Sequence, residues 1–428
     1  MTMTTTDKTD GRGATSPARR RWIVIFITCL VAAACGVWLA AGQMWFARYR
    51  LAALLDEGRV EQAAILGREY ADRPGNADVC LLIVRALRMT DDLVESDRML
   101  DRHESLIDSP ERIGEERSLN RARRGQLDGV DVRLPAFLRD PDLDERDVCE
   151  AFAIGLRLNR RFDEAAQLLD AWQRDWPDDY RPHYHEGLMR QTLTNWQKAI
   201  ASYEIALQLD PTARDCRQRL GECLNQLERG QEAAEQFTIL TESQPDDAMA
   251  WEGLANALKQ TGDFGGARSA CLRVLALMPE NFAARRAVAE IDLDTNDVES
   301  AAANAASLLR VWPEDVATLY VLSRAEAVRG NADESRQLVE RWTAADKAVQ
   351  EIERDIQRLA ESVNDVELQV SLGQRMLKHY SREMGIQFIG VVLQINPQHA
   401  AAREVFADYE QRTESLRSIP VPEPRTLP

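Results

Sequence analysis

The sequence predicts an all-α protein, an array of short helix pairs that follows one membrane-spanning helix. Three observations predict it. The 428-residue chain is 45% hydrophobic but only 6% aromatic, and it is rich in Ala, Leu, Glu, Gln and Arg, which favour helix over strand. Residues 22–47 carry no charge. Pro177, Pro211, Pro245, Pro279 and Pro313 are evenly spaced, and a constant period of about 34 residues marks stacked repeats.

The N-terminal elements come first. Residues 1–21 form a basic tail in which Lys8, Arg12, Arg19, Arg20 and Arg21 outnumber Asp7 and Asp10, whereas the whole chain has a formal net charge of −17. Residues 22–46 read as the transmembrane helix. Its apolar core is Trp22–Ala41. A helix of that length covers roughly 30 Å, one hydrocarbon thickness. Trp22, Trp38 and Trp45 suit the interfaces. A cleaved signal peptide would have a shorter apolar run of about 7–15 residues, although Ala40 and Gly42 make a passable cleavage site. A lipoprotein signal fits poorly, because Cys35 follows three alanines and the chain then stays apolar. The uncleaved anchor is the reading adopted. The basic excess ahead of the span, against Arg48, Arg50 and Arg59 behind it, places the N-terminus in the cytoplasm. The rest of the chain then lies outside the cytoplasm, facing the periplasm in a bacterial cell. An acidic body repels phosphate backbones, so no nucleic-acid ligand is expected.

Residues 47–145 read as degenerate helical repeats and a loop. Leu51–Glu57 and Val60–Tyr70 form one expected pair, and Asp78–Met89 and Leu93–His103 a second. Glu111–Arg124 is helical by pattern. Gly125–Glu145 has two glycines, two prolines and little periodicity, and reads as a loop.

Residues 146–349 carry the regular array. Units beginning at Arg146, Tyr180, Arg214, Ala248 and Phe282 align without gaps. Position 8 is small: Ala153, Gly187, Gly221, Ala255 and Ala289. Position 20 is alanine throughout: Ala165, Ala199, Ala233, Ala267 and Ala301. Position 24 holds Leu169, Tyr203, Phe237, Cys271 and Ala305. Small residues at 8 and 20 let two amphipathic helices approach closely, and the proline ends the second helix. Val316–Arg341 continues the array as a sixth unit without its proline.

This pattern resembles the tetratricopeptide repeat (TPR), most closely over Trp251–Asn281, with Trp251, Leu254, Ala255, Leu258, Ala267 and Pro279 in place. Glu186 at position 7, and Arg190 and Asp292 at position 11, depart from it. The resemblance implies a right-handed superhelical solenoid whose inner face binds a protein or peptide. It also implies the groove residues, drawn from positions 2, 5, 9, 12 and 13 of each first helix. These are Tyr184, Leu188 and Gln191; Gln218, Glu222 and Asn225; Glu252, Asn256 and Lys259; Arg286 and Glu290; and Tyr320 and Arg324. The bland reading of any one of them is a solvated helix face. The family's clamp for chaperone C-termini needs Lys at 5 beside Asn at 9. Asn256 stands beside Glu252, so that ligand is not expected. The expected function is a membrane-anchored scaffold or adaptor, in envelope protein assembly, secretion or quality control.

Residues 350–415 hold a further helix, a seventh unit (Val366–Pro397) and a capping helix, and 416–428 read as a disordered tail. Val349, Ile352, Ile356, Leu359, Val363, Val366 and Val370 alternate by three and four, which is heptad spacing. Two readings stay open: a helix laid against the solenoid, or a homodimeric coiled coil that would make the protein a self-associating organiser. Asp365 as the start of a new helix would spoil the coil.

No enzyme chemistry is expected. The seven cysteines include no CxxC pair, and the five outside the span fit core positions. His183 and His185 point to different helix faces. The stretch 292–297, DLDTND, superficially resembles a calcium loop, but Asp297 stands at its glycine position and Ala303 at its twelfth. No metal and no cofactor are expected.

Overall fold

A computed structural model describes residues 45–72, 77–107, 109–140, 143–361 and 365–423. Every element among them is helical, with no strand. The basic tail 1–21, residues 22–44 of the expected membrane helix and Val363 of the heptad series lie outside the described residues. Among those described, no helix is long and apolar enough to cross a membrane. The chain divides into two compact units between Asp175 and Trp176.

The first unit contains α1 (45–56), α2 (Val60–Tyr70), α3 (Ala77–Met89), α4 (Leu93–Arg102), α5 (Pro110–Arg123), the one-turn α6 (Leu134–Phe137), α7 (Glu145–Leu158) and α8 (Phe162–Asp175). Leu51, Leu55, Ile83, Val84, Leu87, Met99 and Leu100 form its first core. Buried polar groups accompany them. Arg88 pairs with Glu116, both side chains almost fully buried. Asn120 donates to Ser96 Oγ at 2.9 Å and to Asp97 Oδ1 at 2.7 Å. The stretch 125–145, expected as a loop, departs from that expectation. It holds a 3-10 turn (Asp131–Arg133) and α6. Its Leu127, Val130, Phe137 and Leu143 are buried, so aperiodic spacing here conceals packed anchors. Phe137 lies 6.1 Å from the Phe152 ring and 4.7 Å beneath the Arg133 guanidinium.

The second unit opens with α9 (Arg181–Thr192), α10 (Trp196–Leu209), α11 (Arg214–Gln226), α12 (Gly230–Ser243), α13 (Ala248–Thr261), α14 (Phe264–Leu277), α15 (Phe282–Asp294), α16 (Val298–Val311) and α17 (Val316–Val328). It closes with α18 (Ala332–Glu361), α19 (Val366–His379), α20 (Arg382–Ile395) and α21 (Ala400–Arg417). Helices α9 to α16 form antiparallel neighbours in sequence order, and side-chain size sets their approach. A Cβ on Gly187 would sit 2.4 Å from the Tyr203 ring, and one on Gly221 2.7 Å from the Phe237 ring. Glycine at position 8 therefore stands opposite an aromatic at 24. Where position 24 shrinks to Cys271 or Ala305, position 8 grows to Ala255 or Ala289. Tyr203 and Phe237 are fully buried, each contributing about 1.5–3 kcal/mol by desolvation.

The turns repeat as well. Arg160, Thr194, Glu228, Gly262, Asn296 and Gly330 recur with the period of the prolines, and all have positive φ, between 55° and 84°. Each reverses the chain between the two helices of its pair. Glycine adopts that conformation freely, whereas the other residues strain by about 1–2 kcal/mol each. At the other end of the unit, α10 stops at Leu209 and Asp210 accepts from the Thr212 amide at 2.8 Å. Pro211 thus punctuates the array. Its carbonyl accepts from Arg217 at 2.7 Å, as Pro245 does from Trp251 at 3.0 Å and Pro279 from Arg285 at 2.8 Å. Position 4 closes the turn whether it is Trp or Arg.

The C-terminal third departs from expectation in three respects. First, the second helix of the sixth unit does not end near Arg341 but runs on as α18, 30 residues long. The heptad spacing on it is not a free coiled-coil seam. Ile352 is fully buried with Leu372 and Met376, with Ile356, Leu359 and Phe388 packed on them. Asp365 caps α19 through the Leu368 amide at 3.0 Å, and Val366 and Val370 join a different cluster. The homodimer surface expected over Val349–Val370 is thus largely covered by the chain's own α19 and α20. Second, the α19–α20 pair is tight at Gly373 and Gly385, where a Cβ on Gly385 would meet the Gly373 carbonyl at 2.8 Å. However, α19, α20 and α21 turn back onto Phe282, Leu308 and Trp312. Third, the tail expected to be disordered is held in place as far as Glu423: Arg285 donates to the carbonyls of Ile419 and Pro420.

Candidate functional site

The first helices α9, α11, α13, α15 and α17 carry every groove residue expected from the sequence. Tyr184, Leu188, Gln191, Gln218, Glu222, Asn225, Glu252, Lys259, Arg286 and Glu290 are half-buried, and Asn256, Tyr320 and Arg324 are exposed.

On α9 and α11 the polar groups partly serve the fold. Gln191 Oε1 accepts from the Tyr203 hydroxyl at 2.9 Å. Burial, aided by Asp215, pushes the Tyr184 hydroxyl up to about 12, so it remains a protonated donor. Gln218 donates to Glu222 at 3.0 Å, and Arg219 pairs with Glu222 at 2.9 Å. Asn225 Nδ2 donates to the Gly253 carbonyl of the next repeat at 3.1 Å. The amide oxygens Gln218 Oε1 and Asn225 Oδ1 are buried without a hydrogen-bond partner among the described residues. They are two turns apart along one helix face. A buried acceptor without a donor is unfavourable by about 1–3 kcal/mol.

From α13 onward the residues link into an ionic chain. Lys259 pairs with Glu290 at 2.6 Å, Arg286 approaches Glu290 at 3.4 Å, and Arg286 lies 3.7 Å from Asp315. Asp315 also caps α17 through the Thr318 amide at 2.8 Å and pairs with Arg382 at 2.8 Å. Burial opposes ionisation of Asp315, but Arg382 and Arg286 together hold its carboxyl below the ordinary value. The Arg382 guanidinium lies 3.7 Å from the Phe282 ring centre and 4.8 Å from that of Trp312. Burial, reinforced by Glu383 of α20, raises the Glu252 carboxyl above its ordinary value. The chain's own α20 therefore reaches the Glu252 and Arg286 portion of the expected face. The α9–α11 portion retains the unpartnered acceptors. Tyr320 and Arg324 make a separate exposed pair, with Arg324 over the Tyr320 ring at 5.8 Å.

Sequence reasoning missed Arg382, Asp315, Arg268 and Arg285. Their partners lie far along the chain, 67 residues in the Arg382–Asp315 case. For Arg285 the available signal was its place at position 4, which Trp251 holds in the preceding unit. The stretch 292–297 has no calcium geometry. Asp292 is fully buried and paired with Arg268 at 2.8 Å, and Asp297 caps α16 at 3.2 Å. Among the described residues no cluster of His, Cys, Asp and Glu could hold a metal ion. The five described cysteines are buried. Burial first of all pushes Cys80 up to about 11 and Cys216, Cys223 and Cys271 up to about 12, so these are core thiols rather than nucleophiles.

Helix pairs with glycine-on-aromatic packing, a recurring left-handed turn and proline punctuation agree with a direct comparison: residues 184–238, 226–282 and 287–348 match the profile described as the tetratricopeptide repeat. Residues 184–348 carry TPR repeats. Among curated proteins no match was found. Solved structures with similar repeats include MamA, residues 41 to the end, from Desulfovibrio magneticus RS-1. It is 20% identical over 38% of this chain and 94% of its own, with a TM-score of 0.35. YrrB, a TPR protein with an unusual peptide-binding site, is 14% identical over 56% of this chain and 97% of its own, with a TM-score of 0.34. Pseudomonas aeruginosa pilF is 15% identical over 54% of this chain and 97% of its own, also with a TM-score of 0.34. Scores this low assign no function to this chain.

Proposed function

We propose that this chain is a protein- or peptide-binding scaffold that receives an extended segment along α9 and α11. The observation that carries the reading is the row of Gln218, Glu222 and Asn225, half-buried polar side chains along one face of α11. Half-buried Tyr184, Leu188 and Gln191 lie at the matching positions of the preceding repeat. An extended peptide presents backbone N–H and C=O groups, and half-buried amide and carboxylate side chains on one helix face offer both acceptors and donors to them. Glu222 and Arg219 supply charge for side-chain choice. The scaffold is tethered by residues 22–46 with the repeats outside the cytoplasm, and acts in envelope protein assembly, secretion or quality control.

The test uses photocrosslinking residues at Leu188 and Glu222 in cells, with a control crosslinker at exposed Glu235 on α12. Adducts specific to the first two positions, lost on the double change Gln218→Ala and Asn225→Ala, support the reading. Identical adducts from the control position, or adducts untouched by the double change, would overturn it. A reporter that folds only outside the cytoplasm, fused after Pro428, decides the orientation. An inactive outside reporter beside an active inside one would reverse it.

A further inference from the structure

The segment after α21 is held like a bound ligand. Residues 418–423, Ser-Ile-Pro-Val-Pro-Glu, leave the helix without regular structure. Arg285, almost fully buried at 3% exposure, donates through Nη2 to the Ile419 carbonyl at 2.8 Å and through Nη1 to the Pro420 carbonyl at 3.0 Å. Its Nε and the same Nη2 hold the Pro279 carbonyl at 3.0 and 2.8 Å. Burial alone lowers the Arg285 pKa. Backbone carbonyls therefore solvate this buried cation in place of a carboxylate. Further along the tail, Arg268 Nη1 donates to the Glu423 carbonyl at 2.8 Å, while its Nε holds Asp292. Arg417 pairs with Glu280 at 3.3 Å beside the same turn, and Ile419 packs on the cluster of Phe282, Trp312 and Leu416.

Three of the tail's carbonyls are thus read by two buried guanidinium groups, with a single apolar side chain as anchor. Side-chain identity in the tail matters little to those bonds, but backbone conformation matters greatly. Pro420 and Pro422 have no N–H and a φ locked by the ring at roughly −65°. They bias the segment to an extended form whose carbonyls are open to outside donors and whose ordering entropy is small.

We propose that the Arg268–Arg285 edge is a peptide-binding site for an extended, proline-containing segment, and that residues 419–423 occupy it as a detachable internal ligand. The site is separate from the α9–α11 acceptors, because it offers donors to carbonyls rather than acceptors to N–H groups. A short tether gives the resident segment an effective concentration on the order of 1 mM. A free peptide that binds with a dissociation constant of about 10 μM would then be weakened about 100-fold by the intact tail.

The probe is a fluorescent peptide of residues 418–428, followed by anisotropy against three forms of the chain. One ends at Arg417, one is intact, and one carries Ile419→Asp, which keeps full length but withdraws the tail's apolar anchor. The peptide should bind the shortened chain and the Ile419→Asp chain, and bind the intact chain about 100-fold more weakly. Adding Arg285→Ala to the Ile419→Asp chain should weaken binding at least tenfold, with helical circular dichroism retained. Should the shortened chain fail to fold, the Ile419→Asp chain carries the comparison. The proposal is overturned if the peptide leaves both opened chains unbound at about 1 mM, the effective concentration of the tether. It is also overturned if Arg285→Ala binds as tightly, or if a proline-free peptide of the same side chains competes equally.

Discussion

The repeat core rests on one ring held between two glycines, and this is open to a quantitative test. Phe237 is fully buried. A Cβ on Gly253 would sit 2.2 Å from its Cε1 and 2.3 Å from its Cζ, and one on Gly221 2.7 Å from its Cε2. Gly253→Ala in the intact chain should gain about 1 kcal/mol of helix propensity and lose more to overpacking, typically about 1–3 kcal/mol and occasionally more. An approach of 2.2 Å belongs at the upper end, so the net loss should be about 1–3 kcal/mol. Phe237→Ala should lose about 3–5 kcal/mol by transfer and cavity terms. Combined, the clash disappears, the new methyl partly fills the cavity and the propensity gain remains. The double variant should therefore exceed the stability predicted from the summed single losses by about 1.5 kcal/mol or more, a coupling expected of residues in contact. Urea unfolding of the whole chain, followed by far-UV circular dichroism and by hydrogen exchange of α12 and α13, measures the cycle. Additivity within about 0.5 kcal/mol, the behaviour of independent sites, would refute the argument that ring and glycine backbone define the spacing of these helices.

Further outcomes follow from other features. Thr194 is β-branched at φ 55°, a strained combination. Thr194→Gly should stabilise the second unit by about 0.5–1 kcal/mol, read from the denaturation midpoint, and a loss would show that the turn is not strained. Arg88→Met leaves buried Glu116 with only the longer Arg112 contact at 3.6 Å and should lose about 3 kcal/mol, whereas Arg88→Met with Glu116→Leu should recover most of it; no recovery would mean that the pair contributes more than mutual compensation. The Glu252 carboxyl is raised by burial and by Glu383. Above the ordinary carboxyl value of 4.5 the folded chain keeps a proton that the unfolded chain has lost, so this group makes stability fall as pH rises. Asp315, held below its ordinary 3.8, acts oppositely, contributing stability that is lost as pH falls. Glu252→Gln should remove the first slope and leave the second. Unchanged stability curves between about pH 4 and 7 would place Glu252 in water instead.

The array was legible because each repeat must satisfy the same local geometry with neighbours one repeat away. Pro211, Ala199, Gly221 and Phe237 announce their roles by recurrence. Glu228 and Thr194 did not announce theirs, since a non-glycine left-handed turn leaves no compositional mark. The candidate face was legible only as positions on helices. That Gln218 and Asn225 keep unpartnered oxygens, while Glu252 and Arg286 are reached by α20, depends on which elements arrive from elsewhere.

The amino-acid sequence by itself determined the helix pairs, their period and their punctuation, because backbone propensity, side-chain size and proline sterics act over a few residues to a single repeat. Tertiary structure alone decided where the heptad of α18 is buried, why α19–α21 fold back on Phe282 and Trp312, and how the tail reaches Arg268 and Arg285. The last two of those choices include hydrogen bonds between residues 67 and 155 positions apart. At that separation no periodicity connects the partners, and burial of a few aromatic and arginine side chains selects one packing among several that the pattern allows.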